Sequence, residues 1–203
     1  MKKNKISKNW IKKQSKDIFV LRSKAEGYRS RAVYKLIEIN EKFNFLKNGI
    51  SLIDLGAAPG SWTQYVSRKF KNSDILSIDI KEIEEIKNNH HIIGDFTEEK
   101  SKIKIKDYFK SKVDVILSDM AENTTGNKNL DAISTNELCR EAMYFAKENL
   151  KENGSFVCKF FMGSTFKEIM LDSKKFFKKV KVYKPDSSRK NSKENFIFCR
   201  FLR

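Results

Sequence analysis

Charged residues lie at the ends of several short apolar segments that have the composition of buried β-strands. The acids are Asp54, Asp79, Asp95 and Asp119, and the basic residue is Lys159 in the run FVCKFF. In an open parallel sheet the carboxyl ends of the strands meet at one edge, and ligands bind there. Carboxylates and an amine at such an edge can bind ribose hydroxyls or move a proton. The spacing therefore predicts a ligand site at one edge of a sheet.

Lys159 is the hardest of these residues to explain as part of a core. An unpaired ammonium group buried in an apolar strand would cost several kcal/mol. The side chain must therefore reach solvent, pair with an acid, or take part in chemistry. Asp119 is the expected partner, because in the usual strand order its strand lies next to that of Lys159.

The small residues of GAAPG, from Gly56 to Gly60, predict a tight turn after the first strand. Glycine permits such a turn and lets a ligand approach the backbone. Asp79 follows Gly56 by 23 residues, which is where a nucleotide-binding fold has a ribose-binding acid. By itself G-x-x-x-G fits any turn, and Asp79 and Asp95 could instead cap the helices that follow them. The pattern matches neither the dinucleotide fingerprint nor the P-loop, which disfavours nicotinamide and triphosphate cofactors.

The segments that carry these residues alternate between strand-like and helix-like patterns. The predicted strands are ISLIDLG, DILSIDI, HIIGDF, VDVILSDM, GSFVCKFF, KKVKVYKP and NFIFCRFL. The predicted helices are SRAVYKLIEINEKFNFL, SWTQYVSRKF, STNELCREAMYFAKENL and TFKEIMLDSKKFF. Ser30 is the expected N-cap of the first helix, and Asn153-Gly154 is expected to close the third.

This alternation predicts an α/β fold, a Rossmann-like, mostly parallel sheet of seven strands with helices on both faces. The last two strands are joined by a loop too short for a helical crossover. One strand near the C-terminus is therefore expected to run antiparallel.

The composition describes a globular chain with a strong basic surplus. Of its 203 residues, 39% are hydrophobic, enough for one core, and the formal net charge is +16. Residues 1–35 hold 12 Lys or Arg against 2 acids, and residues 174–203 hold 11 against 2. A surplus confined to the two ends indicates a polyanionic partner such as nucleic acid, with a merely solvated basic surface as the alternative.

Several classes of protein are disfavoured by what the sequence does not contain. No apolar run approaches the ~20 residues of a membrane span, and no apolar segment follows the basic start, so we expect neither membrane association nor secretion. Cys139, Cys158 and Cys199 are odd in number and widely spaced, which indicates neither a disulfide framework nor a zinc site. The adjacent His90 and His91 are expected to be structural or solvated. We therefore expect a cytoplasmic protein without a metal.

Six motifs occur in the order SRAVYKLIEI, DLGAAPGSWTQYV, GDF, SDMAEN, GSFVCKFF and KPDSSRKNSKENF. In this order and spacing they resemble the FtsJ (RrmJ) family of ribosomal-RNA 2′-O-methyltransferases, and the resemblance runs from about Trp10 to the end of the chain. It implies a Rossmann-like methyltransferase fold with S-adenosylmethionine as methyl donor. Together with the basic surplus at the N-terminus and the length of the chain, it predicts a basic N-terminal arm over residues 1–29 and a single methyltransferase domain over residues 30–203.

The resemblance also implies which residues form the site. The family's Lys-Asp-Lys-Glu tetrad around the target hydroxyl corresponds to Lys35, Asp119, Lys159 and Glu194. The donor site corresponds to Gly56, Gly60, Trp62, Asp79, Asp95 and Asp119. In this interpretation the ribose hydroxyls of the donor bind Asp79, and its adenine amino group binds Asp95. Lys35 and Glu194 rest on the resemblance alone, and Trp62 could instead be a core residue that opens a helix.

Two assignments of the proton-accepting group remain open at the level of sequence. Lys159 could be held partly neutral and take the proton of the ribose hydroxyl, or it could stay charged and steer the oxygen while Asp119 takes the proton. The sequence also departs from the family at Ser61, where glycine is usual, and at Glu122, where proline is usual. These departures bear on the positioning of the substrate rather than on the reaction.

By the resemblance, the substrate is a uridine of large-subunit (23S) rRNA, on the assembled or assembling large ribosomal subunit. The alternatives are a 2′-O-methyltransferase of tRNA or of the mRNA cap, and an RNA-binding ribosome-assembly factor whose catalytic site has decayed. The intact set of four tetrad residues disfavours decay, and the absence of a long extension after Arg203 favours the ribosomal substrate. We expect a monomer, because no apolar stripe is left over for an interface.

Overall fold

One seven-stranded sheet forms the centre of the molecule in the computed structural model, which describes residues 17–121 and 125–203. Its strands are β1 (Ser51–Leu55), β2 (Asp74–Asp79), β3 (Asn89–Ile93), β4 (Val113–Ser118), β5 (Leu150–Phe161), β6 (Phe177–Tyr183) and β7 (Glu194–Leu202). Their order is β3-β2-β1-β4-β5-β7-β6. All pairs formed among strands β1 to β5 are parallel. Strand β7 runs antiparallel to both of its neighbours, β5 and β6. The predicted mostly parallel sheet with one antiparallel strand near the C-terminus is therefore confirmed.

Helices cover both faces of the sheet, as predicted. They are α1 (Ile18–Ala25), α2 (Val33–Phe43), α3 (Ser61–Lys69), α4 (Glu99–Phe109), α5 (Lys128–Asn149) and α6 (Phe166–Phe176). The buried side chains of α2 and α3 lie in one apolar cluster, and those of α4, α5 and α6 lie in a second. Because strand side chains alternate between faces, Leu52 belongs to the first cluster and Ile53 to the second. No helix in the described ranges is long and apolar enough to cross a bilayer.

Helix α2 has two distinct faces that follow from its sequence. Val33, Leu36 and Ile39 recur every three residues and are fully buried in the core. Lys35 and Glu38 lie three residues apart on another face, where Lys35 meets Glu194 at the start of β7 and Glu38 meets the segment that connects β6 to β7. The apolar stripe thus anchors the helix to the sheet and leaves a charged stripe facing the C-terminal part of the chain.

The predicted start of α2, the helix that carries Lys35, is wrong. Helix α2 begins at Val33, and its N-cap is Ala32, which makes no side-chain capping bond. The hydroxyl of Ser30 accepts from the backbone N–H of Ala32 at 3.3 Å, which lies before the helix, and it is 2.8 Å from the hydroxyl of Ser61 at the start of α3. A tertiary contact therefore uses the hydroxyl that the local pattern assigned to a cap.

The predicted end of the long helix is also wrong. Helix α5 ends at Asn149, and Asn153-Gly154 lies inside β5. Leu150 pairs with Val113 and Ser155 with Val115, so the residues between them form an irregularity in the strand. Strand pairing with β4 therefore begins earlier than the Asn-Gly signal indicates.

Two further helices lie where the sequence did not predict them. Helix α1 falls inside the segment assigned to the basic arm, and α4 falls in a polar stretch between the third and fourth strands. The remainder of the arm, residues 1–16, lies outside the described residues. The boundary between an arm and a domain near residue 29 stays a prediction.

Candidate active site

The carboxyl ends of the central strands bring distant residues to one edge of the sheet. Leu55 pairs with Ile78 on one side and with Ser118 on the other, and Ser118 pairs with Cys158. The residues that follow these positions therefore lie beside one another. They are Gly56, Asp79, Asp119 and Lys159.

Four charged side chains meet at this edge and form what we call the polar tetrad: Lys35, Asp119, Lys159 and Glu194. The ammonium group of Lys35 donates to Glu194 Oε2 at 2.8 Å and lies 3.2 and 3.3 Å from the two carboxylate oxygens of Asp119. The ammonium group of Lys159 lies 3.2 Å from Asp119 Oδ1 and donates to the Asp119 carbonyl at 2.5 Å. The structure thus joins the two lysines through one aspartate.

Burial and pairing act in opposite directions on the tetrad. Burial lowers the pKa of Lys35, but the charges of Asp119 and Glu194 and their hydrogen bonds outweigh it, so this pKa is raised overall. Burial likewise raises the pKa of Asp119, but the charges of Lys159 and Lys35 outweigh it, so this pKa is lowered overall. Lys35 is therefore held as an ammonium and Asp119 as a carboxylate at neutral pH.

Lys159 is buried in a strand, and its ammonium group contacts both the carboxylate and the carbonyl of Asp119. Its residue is 7% exposed, and within β5 it alternates with Cys158 and Phe160, which belong to the opposite core cluster. Its side chain therefore faces the side of the sheet that carries α2. The two contacts with Asp119 offset the cost of burying the ammonium group.

A cavity of about 400 Å³ opens beside the polar tetrad. Its lining includes Gly56, Asp79 and Asp95 from the ends of the first three strands, and Asp119 and Lys159 from the tetrad. At Gly56, φ is +71°, and a Cβ atom at this position would lie 2.0 Å from Cγ of Met120, another lining residue. A side chain at position 56 would therefore compete with Met120 for space at the cavity wall.

Asp79 and Asp95 line this cavity while holding the loops that surround it. Asp79 accepts hydrogen bonds from the backbone N–H groups of Ala58 and Lys81, each at 2.9 Å. Asp95 accepts from the backbone N–H and the hydroxyl of Thr97, at 2.9 and 2.7 Å. Neither caps a helix, because residues 80–88 form no helix and α4 has Glu98 as its N-cap.

The comparison with protein families agrees with this geometry. A model of the FtsJ-like methyltransferase family matches residues 28–202. The chain belongs to this family.

Several relatives in the family are similar over almost their whole length. The ribosomal RNA large subunit methyltransferase E of Pelagibacter ubique is 62% identical over 203 residues, and the match covers 100% of both chains. The protein of the same name from Rickettsia akari is 43% identical, with 97% of this chain and 89% of the relative covered. The one from Legionella pneumophila is 39% identical, with 98% of each covered.

Solved structures share the fold. A Plasmodium falciparum protein assigned as a ribosomal RNA methyltransferase superposes with a TM-score of 0.77 at 31% identity, covering 86% of this chain and 98% of the other. Human methyltransferase-like protein 13, solved in complex with SAH, superposes with a TM-score of 0.60 at 15% identity, covering 83% and 79%. At that identity the second similarity concerns the fold alone.

Three residues in and around the FtsJ-like donor motif lie away from the cavity lining. Trp62 is 3% exposed, and its indole N–H donates to the carbonyl of Ala32 at 2.7 Å, so it occupies the core as its alternative interpretation had it. Gly60 has φ +94° and would direct a Cβ at the guanidinium of Arg29. Asp54 is buried and accepts a hydrogen bond from the hydroxyl of Thr63 at 2.7 Å. None of the three is among the residues that line the cavity, and the assignment of Gly60 and Trp62 to the donor site stays a prediction.

One of the two departures from the FtsJ-like pattern has a structural role in this chain. Ser61 is 3% exposed, and its hydroxyl shares a hydrogen bond with that of Ser30. The serine thereby ties the turn after β1 to the segment that leads into α2. Glu122, the other departure, lies outside the described residues.

Sequence reasoning missed three residues that contact the tetrad or its supports. Ser188 donates to Glu194, Glu38 accepts from the backbone at Asp186 and Ser187, and Arg31 donates to the Ser187 carbonyl. A signal for one of them was the position of Glu38, three residues after Lys35, which places both on one side of α2.

Proposed function

We propose that this protein transfers a methyl group from S-adenosylmethionine to the 2′-hydroxyl of a uridine ribose in large-subunit (23S) rRNA, on the assembled or assembling large ribosomal subunit. The observation that carries the proposal is the junction of the cavity and the polar tetrad, because Asp119 and Lys159 belong to both. The rRNA substrate is supported by the names of relatives that are similar over nearly the whole chain.

The cavity has the chemistry that the methyl donor requires. S-adenosylmethionine supplies a methyl group on a positively charged sulfur. Asp79 would accept hydrogen bonds from its ribose hydroxyls, Asp95 would bind its adenine amino group, and the absence of a side chain at Gly56 keeps the wall open. The wall also contains the apolar residues Ile80 and Phe96, which suit an aromatic base.

The tetrad would position and deprotonate the ribose hydroxyl. Lys35 remains charged and holds Asp119 and Glu194 in place. Asp119 is a weak base, because the charges of the two lysines lower its pKa. We therefore assign proton acceptance to Nζ of Lys159, which must first release its own ammonium proton to solvent before it can take the proton of the ribose hydroxyl. The two contacts of Asp119 with Lys159 would orient this amine. Orientation of this kind can supply up to roughly 7–11 kcal/mol of the barrier.

The basic ends of the chain would hold the RNA backbone. Exposed Lys178, Lys179 and Lys181 lie on the edge strand β6, and exposed Arg189 and Lys190 lie in the loop beside the tetrad. We propose that these residues and the arm over residues 1–29 bind phosphates, and that a splayed base reaches the site. We further propose that the protein acts as a monomer in the cytoplasm.

The test is methyl transfer from labelled S-adenosylmethionine to intact large ribosomal subunits, with free rRNA and tRNA assayed in parallel and the modified ribose mapped. A single 2′-O-methyluridine on the large subunit is expected. If only tRNA is labelled, the proposed methyl-transfer reaction is supported, but the proposed rRNA substrate is wrong. Donor binding without label on any RNA would favour an RNA-binding assembly factor instead.

A further inference from the structure

The loop between β6 and β7, residues 184–193, is tied to α2 by hydrogen bonds to its backbone. The carboxylate of Glu38 accepts from the backbone N–H of Asp186 at 2.5 Å and from that of Ser187 at 3.0 Å. The guanidinium of Arg31 donates to the Ser187 carbonyl and pairs with Asp17, the N-cap of α1. Two side chains, one on α2 and one just before it, therefore hold one short piece of loop, and the N-cap of α1 holds the second of them in place.

The next residue of this loop contacts the polar tetrad. The hydroxyl of Ser188, which is 5% exposed, donates to Glu194 Oε1 at 2.7 Å. The other oxygen, Glu194 Oε2, accepts from Lys35 at 2.8 Å. With a partner on each oxygen, the Glu194 carboxylate is fixed in rotation as well as in place.

The tetrad depends on that orientation because Lys35 is shared. Its ammonium group must reach Glu194 and both carboxylate oxygens of Asp119 at once. If the Glu194 carboxylate turned, the Lys35 ammonium group would either move with it or lose its hydrogen bond to it. In both cases the contacts of Lys35 with Asp119 would change. A change at Asp119 is passed directly to Lys159, which contacts the same carboxylate.

We propose that Ser188 is a positioning residue of the methyl-transfer reaction, acting through Glu194 and Lys35 on the pair of Asp119 and Lys159. The proposal rests on the proposed function of the tetrad. In it, the hydroxyl of Ser188 contacts no substrate, and its contribution is to hold Glu194 in the orientation that the step requires.

The chain contains a matched control at the adjacent position. Ser187 is completely buried, and in the described part of the chain its hydroxyl has no hydrogen-bond partner. Its contacts with Glu38 and Arg31 use backbone atoms only. Ser187→Ala therefore removes the same group from the same loop without touching the tetrad.

The experiment compares Ser188→Ala with Ser187→Ala in steady-state methyl transfer to large ribosomal subunits. Ser188→Ala is expected to lower kcat on the order of tenfold, the effect of losing a hydrogen bond to a charged group. KM for donor and RNA should stay near the wild-type values, and the thermal unfolding temperature should fall by only a few degrees, since one buried hydrogen bond is lost. Ser187→Ala should leave all of these quantities unchanged.

A double-mutant cycle with Glu194→Ala, which removes the acceptor of the Ser188 hydroxyl, separates positioning from a general effect on the loop. If Ser188 acts through Glu194, Ser188→Ala should cause no further loss of kcat in the Glu194→Ala protein. Multiplicative losses, equal losses in Ser187→Ala and Ser188→Ala, or full activity of Ser188→Ala would each overturn the proposal while leaving the methyltransferase function intact. Absence of methyl transfer by the wild-type protein would overturn the proposed function and this inference with it.

Discussion

Lys159 is the residue at which the cavity and the polar tetrad meet, and its replacement is the most direct test of the site. Lys159→Ala is expected to lower kcat by about 10²–10⁴, the usual effect of losing a positioned acid–base group. The fold should persist, because Asp119 keeps Lys35 as a partner. Steady-state methyl transfer measures the effect, with the exposed Lys104→Ala on α4 as control. Full activity of Lys159→Ala would exclude this residue from the mechanism.

Gly56 offers a test of the cavity wall. Gly56→Ala and Gly49→Ala both require an alanine at positive φ, +71° and +73°, and both should lose about 1–2 kcal/mol of stability for that reason. At Gly56 alone the new methyl group would also meet Met120, whereas nothing lies within 4 Å at Gly49. Donor affinity should therefore fall on the order of tenfold in Gly56→Ala only. Calorimetric titration with S-adenosylmethionine measures it, and equal affinity in the two variants would contradict the assigned donor site.

At the scale of elements, the loop of residues 184–193 should loosen when its hydrogen bonding to α2 is weakened. Glu38→Gln leaves one acceptor oxygen for two backbone N–H groups, so the amides of Asp186 and Ser187 should exchange with solvent faster, on the order of tenfold. Hydrogen exchange followed at single residues measures this. Glu41→Gln on the exposed face of the same helix is the matched control, and the prediction fails if both variants exchange alike.

Local sequence patterns predict most of the helices and strands, but not all of their ends. Apolar periodicity predicts the strands and the helices α2, α3, α5 and α6, because burial of one face has a local signature. It fails at the start of α2 and at the end of α5. There the hydroxyl of Ser30 contacts Ser61 across the structure and reaches only the N-cap residue Ala32 of its own helix, and β5 continues its pairing through an Asn-Gly signal.

For the molecule as a whole, Asp54 should give stability an unusual dependence on pH. Burial raises the pKa of Asp54 from 3.8 to about 7, against the hydrogen bond from Thr63. Between about pH 4 and 7 the folded protein therefore holds a proton that the unfolded chain releases, so this group's contribution to the free energy of unfolding falls as pH rises and levels off above about 7.

Asp54→Asn cannot titrate and should lose that dependence. The free energy of unfolding of the variant, minus that of the wild type, should increase from pH 5 to pH 7 by about 1–3 kcal/mol and then stay constant. Urea unfolding at a series of pH values measures the difference. Parallel curves for the two proteins would show that Asp54 is ionised in the folded state at pH 5.

The charge of the whole chain should appear in the salt dependence of RNA binding. Residues 1–16 contain seven lysines, and their replacement by glutamine should reduce the slope of log K against log salt by about 0.7–0.9 for each phosphate that the arm no longer binds. Affinity for large-subunit rRNA, measured from low to high salt, tests this. The double substitution Lys104→Gln and Lys106→Gln on α4 is the control. An unchanged slope would remove the arm from the RNA interface.

The sequence by itself determined the fold class, the acidic ends of the strands and the family, because apolar periodicity, strand-end residues and ordered motifs are all local. From residue types alone it also indicated that Lys159 needs an acidic partner. Only the tertiary structure decided that Lys35 and Glu194, 159 residues apart, share an ion pair, that Trp62 belongs to the core, and that Ser188 donates to Glu194. These contacts depend on how α2 packs across the sheet and where the loop before β7 returns, and no local pattern encodes either.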